Sequence, residues 1–222
     1  MARQLALAVG LADVASFDNF YTGDQNRELV HALSHVEPGD FIFLHGDLGS
    51  GKTHLLHAAL RKWNEKHGAG SFWSASVAPA SCSGLICIDD VQDLAAQDPA
   101  ELALFELYEV TRNAGGTLLM AGDRPPSFIS WNLPDLASRL STARIYRLAR
   151  LADEDLRGAL QLRAHSRGFE LPEDVVTYIL HRYRRDSAHL FGLLDHIDTQ
   201  SLAAGRRVTL PFFRELEQRH AV

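Results

Sequence analysis

Eight consecutive residues hold the densest chemistry in this chain. Gly46-Asp47-Leu48-Gly49-Ser50-Gly51-Lys52-Thr53 matches G-x-x-x-x-G-K-[ST] at every fixed position. It follows a short apolar run, FIFLH at 41–45, and precedes a helical pattern, which is the setting a phosphate-binding loop requires. Gly46, Gly49 and Gly51, with Ser50 among them, let successive backbone N–H groups turn inward around a phosphate, and the helix N-terminus behind them adds positive potential. Lys52 is of the right type and place to reach β and γ oxygens, and Thr53 offers a hydroxyl to Mg2+. A second apolar run ends in acid, Leu85-Ile86-Cys87-Ile88-Asp89-Asp90. Asp89 at that strand end would hold the magnesium through water, so Thr53 and Asp89 form the expected metal pair. Asp90 stands where many nucleotide hydrolases carry a glutamate to polarise water, and it is one methylene shorter. It reads either in that role or as the cap of the next turn. A third strand end, Gly122-Asp123-Arg124-Pro125-Pro126, offers Asp123 either to orient an attacking water or to open a proline turn.

The elements that would carry these residues follow from the apolar pattern. Strands at 41–45, 71–77, 85–89 and 117–121 alternate with helices at about 24–35, 52–66 and from Asp98-Pro99 to near Gly115. That alternation implies an α/β fold with a mostly parallel, doubly wound sheet. After RIYRL at 144–148 the pattern is helical only, at about 153–167, 173–184, 187–203 and beyond Pro211. The chain therefore divides into a peptide at 1–14, a nucleotide-binding domain at 15–150 and a small all-helical domain at 151–222. The nucleotide is expected where the two domains join. The apolar stripe Leu102, Phe105, Leu107 and Tyr108 reads as core. The link from 78 to 84 is shorter than the dozen residues that parallel neighbours usually need, so either the strand ends lie elsewhere or this crossover has no helix.

Composition narrows the function classes. The 222 residues are 46% hydrophobic and 23% charged, an ordinary globular mixture with enough apolar surface for a core. A net charge of −6 supplies no global cationic field for a phosphate backbone, so free-standing DNA binding is disfavoured. Cys82 and Cys87 lack a second pair, which fits a reduced cytoplasm better than a disulfide framework or a zinc knuckle. No run is long enough to span a membrane. Residues 3–12, RQLALAVGLA, imitate a short signal peptide, but Gln4 interrupts them behind a single charge. His31 and His35 stand one helical turn apart without a third ligand beside them, and they read as solvated helix residues. His54 and His57 follow the loop on its helix.

Several segments in order carry a family resemblance. FDNFYTGDQN, GDLGSGKTHLL, LICIDDVQDL, GDRPP, LPDLASRL and RGFELPEDV resemble the AAA+ part of DnaA replication initiators and, more closely, the Hda-type inactivators of DnaA, over nearly the whole chain. The resemblance implies an AAA+ P-loop domain followed by a helical lid, with ADP or ATP and Mg2+ as cofactors. It implies that Arg139, in LPDLASRL, is presented across an interface to ATP on DnaA. Phe17, Asn19, Phe20, Tyr21 and Asn26 match the segment flanking the adenine, with Phe20, Tyr21 and His54 counted among the cofactor-binding residues. Gln4, Leu5 and Leu7 match a short peptide that docks on the DNA polymerase III sliding clamp, its beta subunit. DNA contact is then indirect, and self-association stays open.

The chain departs from the family at two places, the short 78–84 link, where relatives carry a helix, and the third helix of the lid. Ala188 falls where relatives carry an arginine that reaches the nucleotide phosphates, and Arg185 or His189 is the candidate substitute. The rival reading is a self-sufficient DnaA-like or helicase-loader ATPase acting on DNA. A third is a nucleotide-stabilised scaffold on the clamp.

Overall fold

A computed structural model describes residues 15–75, 84–184 and 186–220. These fall into two compact units, Ala15–Phe17 with Thr22–Arg150, and Asp18–Tyr21 with the chain from Leu151 onward.

The first unit is built on a five-stranded parallel sheet. Its strands are β1 (Phe41–His45), β2 (Gly70–Ser74), β3 (Leu85–Asp89), β4 (Thr117–Gly122) and β5 (Arg144–Arg147), and its helices are α1 (Arg27–Ser34), α2 (Lys52–His67), α3 (Asp98–Asn113) and α4 (Pro134–Leu140). The strand order is β2-β3-β4-β1-β5. From β1 the chain crosses to β2 in one direction, and from β4 it crosses to β5 in the other. The point of reversal therefore lies between β1 and β4, and the crevice beyond their C-terminal ends is where such sheets place ligands. The registers Leu44↔Ala121 and His45↔Gly122 bring those two ends side by side.

Central strands buried on both faces explain the near-continuous apolar runs at 41–45, 85–89 and 117–122. One face carries Phe43, Ile86, Ile88, Leu118 and Met120 into a core with Leu104, Leu107 and Tyr108 of α3 and Leu136 and Leu140 of α4. On the other face, Cys87 Sγ donates to the Leu56 carbonyl of α2 at 3.9 Å.

Two sequence expectations need correction here, and one strand comes in addition to the four expected. Strand β2 stops at Ser74, not 77, because Ala75 turns to φ 45° while its N–H bonds to the Asp89 carbonyl at 3.1 Å. That lengthens the link to 75–84, of which 76–83 lie outside the described residues. The segment RIYRL is itself an edge strand, β5, paired with β1 from Ile42↔Arg144 to His45↔Arg147. The α3 stripe is also rotated: Leu102 is 51% exposed, because Glu101 and Leu104 take the inward positions. The buried Glu101 carboxylate accepts N–H bonds from Ala96 at 2.7 Å, Asn132 at 3.1 Å and Leu133 at 2.8 Å. It thereby ties the start of α3 to the segment leading into α4.

The second unit contains α5 (Asp153–Ser166), α6 (Glu173–Arg182), α7 (Ser187–Ala204) and α8 (Leu210–His220). Their core includes Leu156, Leu160, Val175, Ile179, Leu190, Leu194, Ile197 and Phe213. Arg167 pairs with Asp195 at 2.9 Å and joins α5 to α7. Tyr178 and Tyr183 both donate to Glu217, at 2.8 and 2.7 Å, and hold α8 on α6. Asp18–Tyr21 belongs to this unit: the Tyr21 hydroxyl donates to Asp155 at 3.2 Å, and its ring lies against Gly158. No helix among the described residues is long and apolar enough to cross a membrane.

Candidate functional site

The loop after β1 is shaped by its glycines. Gly49 and Gly51 take φ of 74° and 105°, a region that L side chains avoid. A Cβ on Gly46 would meet the Leu148 carbonyl oxygen at 2.6 Å. Ser50 N–H bonds back to Asp47 O at 3.2 Å, and Leu55 N–H to Gly51 O at 3.0 Å opens α2. That 16-residue helix has no side-chain cap and no acid in its first turn, so its orphan N–H groups and dipole face the loop uncompensated. Lys52 is buried, and its ammonium donates to Gly46 O at 2.8 Å and Asp47 O at 3.0 Å. The Asp47 carboxylate is drawn aside by Arg150 at 2.7 Å. A cradle of positive-φ glycines, an uncapped helix end and a folded-back lysine suits a polyphosphate.

Beside it lies the acidic wall. Asp89 is buried at the end of β3. Its Oδ2 accepts the Thr53 hydroxyl at 2.5 Å, and its Oδ1 accepts Asp90 N–H at 2.9 Å. The hydroxyl and carboxylate expected to share a divalent ion are therefore already in contact. Asp90 adopts φ 53° and ψ 44°, a left-handed conformation that Asp tolerates. Its carboxylate accepts Gln92 Nε2 at 3.2 Å, and Gln92 Oε1 accepts Asp123 N–H at 3.1 Å. Gln92 thus bridges the ends of β3 and β4, a role the sequence did not disclose. The Asp123 carboxylate is gripped by Arg124, with Nε to Oδ1 at 2.9 Å and Nη2 to Oδ2 at 2.6 Å. That hydrogen bond and the charge behind it hold Asp123 below the ordinary carboxylate range. His45, at the end of β1, is pushed below the usual imidazole value by burial, with Arg147 and Lys52 adding to the effect.

Arg139 lies elsewhere in the same unit. Helix α3 starts near the strand C-terminal ends and runs back to Asn113, just before β4 begins at Thr117. The Tyr108 ring meets Phe41, the first residue of β1, edge-on at 4.9 Å. Arg139 pairs with the next residue, Glu109, through Nε to Oε1 at 2.7 Å. It therefore sits at the strand-start edge, whereas the glycine loop leaves the strand-finish edge, and a five-residue strand spans about 13 Å between them.

The remaining sequence candidates are distributed as follows. His54 Nε2 lies 2.9 Å from the Ser16 carbonyl. His57 stacks on Phe72 at 3.9 Å. Asn26 is buried and exchanges two hydrogen bonds with the Ala149 backbone, at 3.1 and 2.9 Å. Tyr21 and Phe20 lie in the helical unit. There Ala188 is exposed in the first turn of α7, its N–H held by Asp186 at 3.0 Å. The His189 ring stands 5.9 Å from that of Tyr183. Arg185, Gln4, Leu5 and Leu7 lie outside the described residues. Among the described residues no cluster of three His, Cys, Asp or Glu is arranged for a metal. The His31 and His35 rings stack at 4.3 Å.

Known proteins add the family context. Residues 153–216 match the family described as Hda, lid domain. The chain is similar in fold to domain III of the Thermotoga maritima replication initiation protein DnaA, with a TM-score of 0.80 at 20% identity, covering 92% of this chain and 96% of that one. AMPPCP-bound DnaA from Aquifex aeolicus gives 0.67 at 22% identity over 82% of this chain, which spans 64% of that longer protein. The Thermotoga maritima Holliday junction branch migration motor RuvB gives 0.65 at 19% identity, covering 90% and 70%.

Proposed function

We propose that this chain, whose residues 153–216 match the Hda lid domain and whose fold is similar to DnaA domain III, works as a DnaA-related AAA+ regulator of the Hda type. It holds ADP or ATP with Mg2+ as a structural staple, docks on the sliding clamp through Gln4, Leu5 and Leu7, and presents Arg139 to ATP bound by DnaA. The observation that carries this reading is the placement of Arg139 at the edge of the sheet opposite its own glycine loop. A guanidinium there reaches a phosphate held by another molecule. At that phosphate it would stabilise the charge spread over the transferring group, an effect worth about 10³ to 10⁵ in rate in related nucleotide hydrolases.

The chain's own loop supports a holding role. Lys52 would exchange the Gly46 and Asp47 carbonyls for phosphate oxygens, and Thr53 with Asp89 would hold the magnesium. A magnesium ion held there would supply positive charge to offset that of the phosphates. The DnaA structure described as AMPPCP-bound supports a nucleotide here. The groups expected to handle water are otherwise engaged: Asp123 by Arg124 and Asp90 by Gln92. That favours a slow or idle site over an efficient one. Arg185 is the proposed replacement for the arginine absent at Ala188. A cytoplasmic location goes with this work, and DNA is met through the clamp.

The rival self-sufficient ATPase draws on one observation, the complete pairing of Thr53 with Asp89 below an intact loop. Steady-state ATP turnover separates the two. The proposal expects negligible turnover by this protein alone, with or without DNA, and faster loss of ATP prebound to DnaA once the protein and DNA-loaded clamp are added. DNA-stimulated turnover by the protein alone would overturn it.

A further inference from the structure

We infer that Glu109 is the positioning residue for Arg139, its carboxylate holding the guanidinium in place as an ion pair at 2.7 Å. The inference rests on the proposed action of Arg139 on a neighbour's ATP, and it assigns that action a supporting structure within this chain.

Arginine carries more rotamer freedom than most side chains, and a half-exposed one at a helix end gives up that freedom when it binds. Here the cost is reduced in two places. The backbone of Arg139 is fixed first: its carbonyl accepts Thr142 N–H at 3.0 Å and the Thr142 hydroxyl at 2.8 Å. That hydroxyl lies 2.7 Å from the buried Tyr108 hydroxyl. Arg112 bonds to both oxygens, at 3.1 and 3.2 Å. The C-terminal end of α4 is thus pinned to the last turns of α3.

The side chain is fixed second, by the residue following Tyr108. Glu109 Oε1 is buried and accepts no hydrogen bond, and Arg139 is the cation paired with it among the described residues. An ion pair with one oxygen withdrawn from water is held more firmly than a fully exposed one. The guanidinium is a planar fork of five donors. The ion pair fixes where the guanidinium lies without a hydrogen bond to Glu109 Oε1, which leaves its donors for a phosphate. Tyr108, Glu109 and Arg112 therefore make the end of α3 a platform that presets the reach of Arg139.

The test follows single-turnover hydrolysis of ATP prebound to DnaA, on DNA-loaded clamp, with this protein titrated to a plateau. Arg139→Ala should abolish the stimulation. Glu109→Gln should lower the plateau about tenfold while the concentration giving half-maximal effect stays within twofold, since a freed arginine loses orientation and not affinity. Glu109→Asp, which keeps the charge, should recover at least a third of the plateau. A Glu109→Gln plateau equal to or above wild type, with Arg139→Ala inactive, overturns the positioning role alone. A fully active Arg139→Ala overturns the trans reading and this inference with it. A measurement on the unaltered protein guards against misfolded variants: the Arg139 Nε–H NMR order parameter should exceed about 0.6, and a value typical of a freely moving side chain overturns the inference.

Discussion

Gly84 is the position where one added methyl group should cost most. It takes φ 101°, and a Cβ built on it would lie 1.7 Å from the Ala69 carbonyl oxygen and 2.9 Å from the Ala69 carbonyl carbon. Both are backbone atoms, so no side chain can swing away. Ala69 leads directly into β2, and the Gly84 carbonyl accepts Thr117 N–H of β4 at 3.3 Å. Relief in either direction therefore disturbs a ladder. The backbone conformation costs an L residue about 1 to 3 kcal/mol, and the forced displacement adds about 1 to 3 kcal/mol, as overpacking does. A total near 4 kcal/mol lowers the melting temperature by roughly 8 to 16 °C in a chain of this size. Gly115→Ala is the internal control: φ is 66° and nothing lies within 4 Å of its added Cβ, so it pays about 1 to 2 kcal/mol of backbone strain and no clash. Calorimetric melting of both variants beside wild type reads the difference. If Gly84→Ala melts with Gly115→Ala, the close approach of the two strand starts is wrong.

Two further outcomes follow from the same geometry. A Cβ on Gly158 would come within 2.6 Å of the Tyr21 ring, so Gly158→Ala should displace that ring, break its hydrogen bond to Asp155 and lower the melting temperature by roughly 2 to 8 °C; an unchanged melting temperature would contradict the contact. His45 is held below its ordinary value in the folded state, chiefly by burial, so the unfolded chain binds the proton more readily. Its contribution is intact above about pH 6.5 and is lost as pH falls below that. The melting temperature of His45→Gln should therefore decline less than that of wild type between pH 7 and pH 5, and parallel declines would contradict the assignment.

What could be read from the sequence was local. The glycine loop was legible because positive-φ turns, the lysine and the helix start lie within eight consecutive residues, and the structure gives Gly49, Gly51 and Lys52 the conformations that such a loop needs. Asp89 was legible because an acid closing a buried apolar strand faces the same edge as the loop. Gln92 was hidden, since its partner is a backbone N–H thirty-one residues away at Asp123. Glu109 was hidden for the same reason: nothing in ELYEV announces a pairing with an arginine on the following helix. The edge of the sheet occupied by Arg139 depends on strand order and on the direction of α3, neither of which spacing encodes. The extent of β2 was misjudged because SFWSASV stays compatible with a strand to its end, and the turn at Ala75 comes from pairing with β3.

The central claim is that Arg139 works on a phosphate held by another protein, and one comparison tests it most directly. Radiolabelled ATP is bound to DnaA, free nucleotide is removed, DNA-loaded clamp is supplied, and ATP loss is followed with wild-type protein, with Arg139→Ala, and with neither. The account predicts acceleration by wild type and a rate with Arg139→Ala indistinguishable from DnaA alone, while the variant keeps its fold and its own bound nucleotide. Equal acceleration by both proteins, or none by wild type, would contradict it.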